Sequence, residues 1–153
     1  MKMNAVEHLF TLQHSPILLA PYLHQFYTHL PQRERNLLLS YLVLPMILYP
    51  PMQAYLLQAR KTSNLRTMCA EQSRLVGLTY QVNQFKSQTN SAILILQAAE
   101  CIEITHELSV KTISTVNSNN ANPLYLNAAQ RLAILLSEDE IPFIYRTLGF
   151  KTL

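Results

Sequence analysis

Between residues 15 and 31 the apolar positions recur at intervals of three and four. Leu19, Tyr22, Leu23, Phe26 and Leu30 fall on one stripe, which predicts an amphipathic helix. Ser15 stands as its cap, Pro16 occupies the first helical position and Pro31 closes it. The next segment, Arg33 to Tyr49, is apolar nearly all round and predicts a central buried helix, with Glu34 and Arg35 in its first turn. "MQAYLLQAR" adds another turn or two of helix before the polar break at Lys61-Thr62-Ser63.

Beyond that break the pattern shortens. Ser63 is placed to cap a short helix, Asn64 to Glu71, and Ser73 a second with Leu75, Leu78, Val82 and Phe85 on one face. "KSQTNS" interrupts the apolar repeat, and Thr89 or Asn90 can cap a third helix carrying Ala92, Ile93, Leu96 and Ala99. In "CIEITHELSVKTISTV" the period changes to two. Ile102 and Ile104 share one face, Leu108, Val110, Thr112 and Ser114 another, which predicts a β-hairpin turning near Thr105-His106-Glu107. "STVNSNNANP" reads as a loop. Leu126 to Leu136 is a further helix, and Ser137 is placed to cap a last one with Glu138, Asp139 and Glu140 in its first turn. Its apolar face is Ile141, Ile144, Tyr145 and Leu148, and Gly149 terminates it.

The expected architecture is mainly α with one small β-hairpin, a helical bundle that includes a winged-helix-like segment. At 153 residues a single domain is expected. Within it, N-terminal helices span 4–60, the winged-helix-like part 61–116 and a helical pair 124–150.

Composition narrows the function. Half the residues are hydrophobic (49%) and only 14% are charged, against roughly 25% in ordinary soluble domains, so part of the surface is expected to meet a partner. The apolar run Leu37–Tyr49 is shorter than the ~20 residues that cross a bilayer, and Pro45 and Pro50-Pro51 interrupt it. "MKMNAVEHLF" lacks the features of a signal peptide, so a cytoplasmic protein without membrane attachment is expected. Cys69 and Cys101 lack C-x-x-C spacing and are expected to be reduced thiols.

No zinc-protease, nucleophile-elbow or phosphate-loop motif occurs, and Gly77 and Gly149 are the only glycines. His24 and His29 are five residues apart, off the i, i+4 spacing of a shared metal on a helix. Cys101 and His106 could face each other across the hairpin as nucleophile and base, which keeps a small hydrolase as a third reading. The leading expectation is a protein with no catalytic, cofactor or metal site.

The net charge is +3. Arg60, Lys61, Arg66 and Arg74 bracket the expected short helix, and Lys86 and Lys111 extend the edge, as candidate contacts to DNA phosphates or to a partner. The expected recognition helix "NSAILILQAAE" carries no Arg or Lys, which argues against reading of base edges. Phe143, Tyr145 and Phe150 are candidates for a protein interface, since aromatics concentrate at contact centres; packing of the last helix onto the core accounts for them equally well.

Four stretches, "SPILLAPYLHQFY", "LLLSYLVLPMILYPPMQAYL", "TSNLRTMCAE" and "IPFIYRTLGF", carry a resemblance. Together they resemble the middle component of three-component ABC systems, of the Lamassu type of bacterial anti-phage and anti-plasmid defence. Tyr49-Pro50-Pro51 stands where that family has His-Pro-x. The resemblance implies a non-enzymatic accessory subunit beside a coiled-coil ATPase of the structural-maintenance-of-chromosomes type and an effector, often a nuclease. ATP and Mg²⁺ would then belong to the ATPase, and DNA would be sensed through the complex. The alternative is a free-standing winged-helix DNA-binding regulator, suggested by the order of helices and hairpin.

Overall fold

The computed structural model describes residues 15–60 and 62–151. The expectations placed on residues 4–14 and on Lys61 lie outside them. The described chain is mainly helical with one two-stranded antiparallel sheet.

Helix α1, Pro16–His29, begins where expected, but the Ser15 side chain makes no capping bond. Proline's fixed φ starts the helix, and the Ser15 carbonyl accepts from the N–H groups of Leu18 and Leu19 at 3.0 Å each. All five residues of the expected stripe are buried, with Ala20 and Tyr27 beside them.

The expected single helix from Arg33 to Tyr49 is a broken one. Arg35 sits in the left-handed region (φ 65°), a 3₁₀ turn covers Asn36–Leu39, and α2 runs only over Ser40–Leu48. The hairpin turn causes the break: Arg35 N–H donates to the Glu107 carbonyl and Leu37 N–H to that of Leu108, both at 3.0 Å. Those donors are satisfied across the fold, which offsets the roughly 1 kcal/mol of a left-handed arginine. Pro50 holds Tyr49 extended, and α3 (Pro50–Leu57) leaves the preceding helical segment at 96°.

Helix α4, Leu65–Met68, is a single turn. Its cap is Asn64 rather than Ser63, locked by a reciprocal pair: Thr67 N–H donates to Asn64 Oδ1 and Asn64 N–H to Thr67 Oγ1, both 2.9 Å. A 3₁₀ turn, Gln72–Arg74, follows. The two helices expected from Ser73 to Ala99 are one, α5, 21 residues from Leu78 to Ala98. Its buried face reads Leu78, Val82, Phe85, Thr89, Ala92, Ile93 and Leu96, so Thr89 holds a core place in an unbroken stripe. Of the other polar residues of "KSQTNS", Lys86, Ser87 and Asn90 are exposed, and Gln88 and Ser91 are half-buried. A single turn, a 3₁₀ turn and one long helix thus precede the hairpin, in place of three short helices.

α5 ends in a Schellman motif, with Cys101 N–H donating to the Leu96 carbonyl (2.9 Å) and Glu100 N–H to that of Gln97 (3.0 Å). Glu100 takes the left-handed position at φ 57°, where glycine carries no Cβ penalty. Glu100→Gly is therefore expected to raise the unfolding free energy by about 1 kcal/mol in urea titrations. A loss of stability would show that the glutamate side chain itself holds the turn.

The hairpin is present as expected. β1 (Ile102–Ile104) pairs with β2 (Val110–Thr112) in the register Ile102↔Thr112, Glu103↔Lys111, Ile104↔Val110. Helix α6, Pro123–Leu135, begins three residues earlier than expected: Asn122 Oδ1 accepts from Leu124 N–H (2.9 Å) and Pro123 supplies the first position. The last helix, α7, covers Ile141–Thr147. Its acidic run precedes it instead of filling its first turn, because Pro142 sets the start and Ser137 Oγ turns back to the Ile134 carbonyl at 2.7 Å. Gly149 ends it at φ 99°, with Phe150 N–H bonded to the Tyr145 carbonyl (3.0 Å).

One continuous apolar core joins these elements. α1 packs against α5 and α6, α2 bridges the same pair, and α3 covers α6. α6 offers Ala128, Ala129 and Ala133 to that core, and such small side chains allow close helix approach. The hairpin lies on α1 through β2, and α4 lies against α7.

Candidate functional site

Arg60, Arg66 and Arg74 lie around α4 and the connection before it, whereas Lys86 and Lys111 lie on α5 and β2. Arg60 and Arg66 are exposed at the two ends of the α3–α4 connection. Arg74 is committed to the fold: Nη1 donates to the carbonyls of Met68 (3.2 Å) and Thr67 (3.3 Å), capping α4, and the guanidinium lies 4.2 Å over the Tyr55 ring. Arg60 lines a cleft with Arg131, whose Nη1 donates to the Ala59 carbonyl at 2.8 Å. Lys86 is exposed midway along α5, on a different groove. Lys111 is exposed on β2 directly opposite Glu103, so its charge has an anionic neighbour.

The more coherent feature is the groove that Lys86 borders, a volume of about 660 Å³ between α5, the 3₁₀ turn and the C-terminal turn after α7. Leu38, Tyr41, Val82, Tyr145 and Phe150 contribute its apolar surface. Tyr145 is buried, donates its hydroxyl to the Leu38 carbonyl and meets the Phe150 ring edge-on, with centroids 5.2 Å apart. Burial, with Tyr41 nearby, pushes its phenol above the usual tyrosine range. Tyr41 is fixed from the other side, its hydroxyl donating to Asn90 Oδ1 at 2.7 Å. Both tyrosine rings of the wall are thus held by hydrogen bonds to other segments.

Of the three expected interface aromatics, Tyr145 and Phe150 line this groove, whereas Phe143 is exposed elsewhere on α7. Leu38, Tyr41 and Asn83 were not singled out from the sequence, and Val82 was placed only on the apolar face of a helix. They come from two segments far apart in the chain, and no local spacing links one segment to the other.

The histidines and cysteines have local roles. His24 Nε2 lies 2.7 Å from the Ser114 carbonyl, tying α1 to the strand exit, and burial lowers the pKa of its ring. His29 is exposed. Cys101 and His106, considered above as a facing pair, sit at opposite ends of the hairpin: Cys101 is level with Ile113, and His106 is in the turn. Cys69 is half-buried, and burial raises its thiol pKa. Among the described residues no group of three or more His, Cys, Asp or Glu side chains is placed to hold a metal ion.

The model of the family "ABC-three component (ABC-3C) system Middle Component 3" matches residues 3–152. The chain belongs to that family. Comparison with curated proteins and with solved structures finds no match. Membership of a multi-component ABC system implies partner proteins for this middle component. Among its described residues no helix is long and apolar enough to cross a membrane, and the bent pair around Tyr49 is largely taken up by the core. The leucine-rich segment is the spine of the fold: Leu39, Leu42, Val43, Leu44, Met46 and Ile47 are fully enclosed.

Proposed function

We propose that this middle component is a non-enzymatic accessory subunit of a Lamassu-type defence complex in the bacterial cytoplasm. It docks on a coiled-coil ATPase and helps to hold an effector, a nuclease in this reading, inactive until foreign DNA is sensed. The observation that carries the reading is the family match over residues 3–152, nearly the whole chain. ATP and Mg²⁺ belong to the ATPase in this scheme, and DNA is met through the assembly rather than by this chain alone. Arg74 is committed inside the fold and Lys111 faces Glu103, which supports that division, because phosphate binding gains from several free cations along one track.

The test is affinity purification of the tagged chain from cells expressing its genomic neighbours, with and without DNase. The expected result is a fixed-ratio complex with a coiled-coil ATPase and an effector that survives DNase. Recovery of the chain alone, or only together with DNA, would replace this reading with that of a DNA-binding regulator.

A further inference from the structure

We infer that the groove between α5 and the C-terminal turn is a docking site for an acidic peptide segment carrying a Leu or aromatic anchor. This deepens the reading of the chain as a docked subunit and rests on that reading for the origin of the peptide, a segment of a larger partner.

The choice of occupant follows from charge and shape. The apolar wall contains Leu38, Val82 and the ring of Phe150, in a space of about 660 Å³, room for one or two large side chains. Two cations, Lys86 on α5 and Lys151 after Gly149, border it. Among the described residues that line it there is no carboxylate. An apolar anchor flanked by Asp or Glu satisfies both features, and desolvated apolar contact supplies affinity while the lysines set the choice of partner. The other clefts are less suited. The one between Arg60 and Arg131 also sets two cations beside apolar Ile134 and Leu135, but it is smaller, about 280 Å³, and Arg131 already donates to the Ala59 carbonyl and Asn127 Oδ1. The one beside α7 mixes Arg33 and Arg35 with Glu34 and Glu140, so its charges compensate internally. The one at the Pro45–Pro50 bend is lined by neutral glutamines and Tyr80. Nucleic acid is disfavoured because only two cations border the groove, too few for a phosphate-tracking path.

The structure also supplies a clean way to block the site. Asn83 is exposed on α5 and borders the groove, so Asn83→Trp fills it without entering the core. The full-length protein is probed against an array of peptides mixing Leu, Phe, Asp and Glu, and against a matched array with Lys and Arg in place of the acids. The strongest binder is then titrated by fluorescence anisotropy, with circular dichroism confirming that each variant is folded. Acidic peptides are expected to bind in preference to basic ones. Lys86→Glu combined with Lys151→Glu is expected to weaken binding about tenfold or more at low salt, and the wild-type affinity to fall as salt rises. Asn83→Trp is expected to weaken it by about tenfold as well.

The inference is overturned if no acidic peptide binds, if basic peptides bind equally well, or if neither variant changes the affinity. It is also overturned if a single-stranded oligonucleotide binds and depends on the same residues, which would make the site one for nucleic acid. Loss of peptide binding with an intact purified complex refutes the groove alone. Peptide binding without any complex refutes the accessory-subunit reading and leaves the groove standing.

Discussion

Replacing Asn36 with Ala is expected to lower the unfolding free energy by about 2–3 kcal/mol, read as the shift of a urea midpoint. Asn36 is fully buried, and its carboxamide stands in for a missing third strand. In the hairpin ladder Ile104 and Val110 form a non-hydrogen-bonded pair, so the N–H and carbonyl of Val110 point away from β1. Asn36 Oδ1 accepts from that N–H at 2.6 Å, and its Nδ2 approaches the Val110 carbonyl at 3.5 Å. Removing the side chain leaves a buried donor without a partner, which costs more than the bond itself contributes.

The same residue is held from behind, because Tyr27, wholly buried in α1, donates its hydroxyl to the Asn36 carbonyl at 2.9 Å. The expected signature is local as well as global: the Val110 amide should exchange with solvent faster relative to those of α1. Asn36→Asp should be worse than Asn36→Ala at neutral pH, since it buries a charge against the Val110 carbonyl. Burial raises the introduced carboxyl's pKa, so protonation favours the folded state and part of the stability returns as the pH falls. If Asn36→Ala costs well under 1 kcal/mol, the hairpin is not anchored through this carboxamide.

Phe26→Ala is expected to cost about 4 kcal/mol, a large part of the roughly 5–15 kcal/mol that holds a domain of this size folded. Phe26 is completely enclosed on α1, the helix that packs on both α5 and α6, and its ring meets Tyr27 edge-on with centroids 5.1 Å apart. Several elements lean on the vacated space, so it cannot collapse by moving one of them. Phe26→Leu, which keeps most of the volume, should cost about 1 kcal/mol. Ile134→Ala serves as the control: that side chain is 58% exposed on α6, and its loss should change stability by less than about 0.5 kcal/mol. Calorimetric or urea unfolding of the three variants checks the order. Equal effects would mean that α1 is not the centre of the core.

Local signals were readable wherever neighbours in the chain decide the outcome. The α1 stripe, the two-residue period of the hairpin and the glycine stop after α7 each depend on residues a few positions apart, and each is present in the structure. Caps were displaced by a residue or more where several polar side chains competed, as when Asn64 with Thr67 took the place expected for Ser63. Thr89 misled for another reason. A polar residue at a core position breaks the apolar count, yet the helix continues through it because the stripe on either side is packed on α1 and α2.

The sequence by itself therefore determined the helical class, the hairpin and the apolar spine, because periodicity records which face of an element is hidden. Tertiary structure decided the rest. The break at Arg35 exists because the hairpin turn, some seventy residues later, supplies carbonyls to its N–H groups. Arg74 is committed to the fold because its guanidinium is drawn into capping α4. The groove exists because Tyr41 and Tyr145 are pinned by partners that lie 49 and 107 residues away in the chain. Contacts of that range have no local period, and only the closed fold brings their residues together.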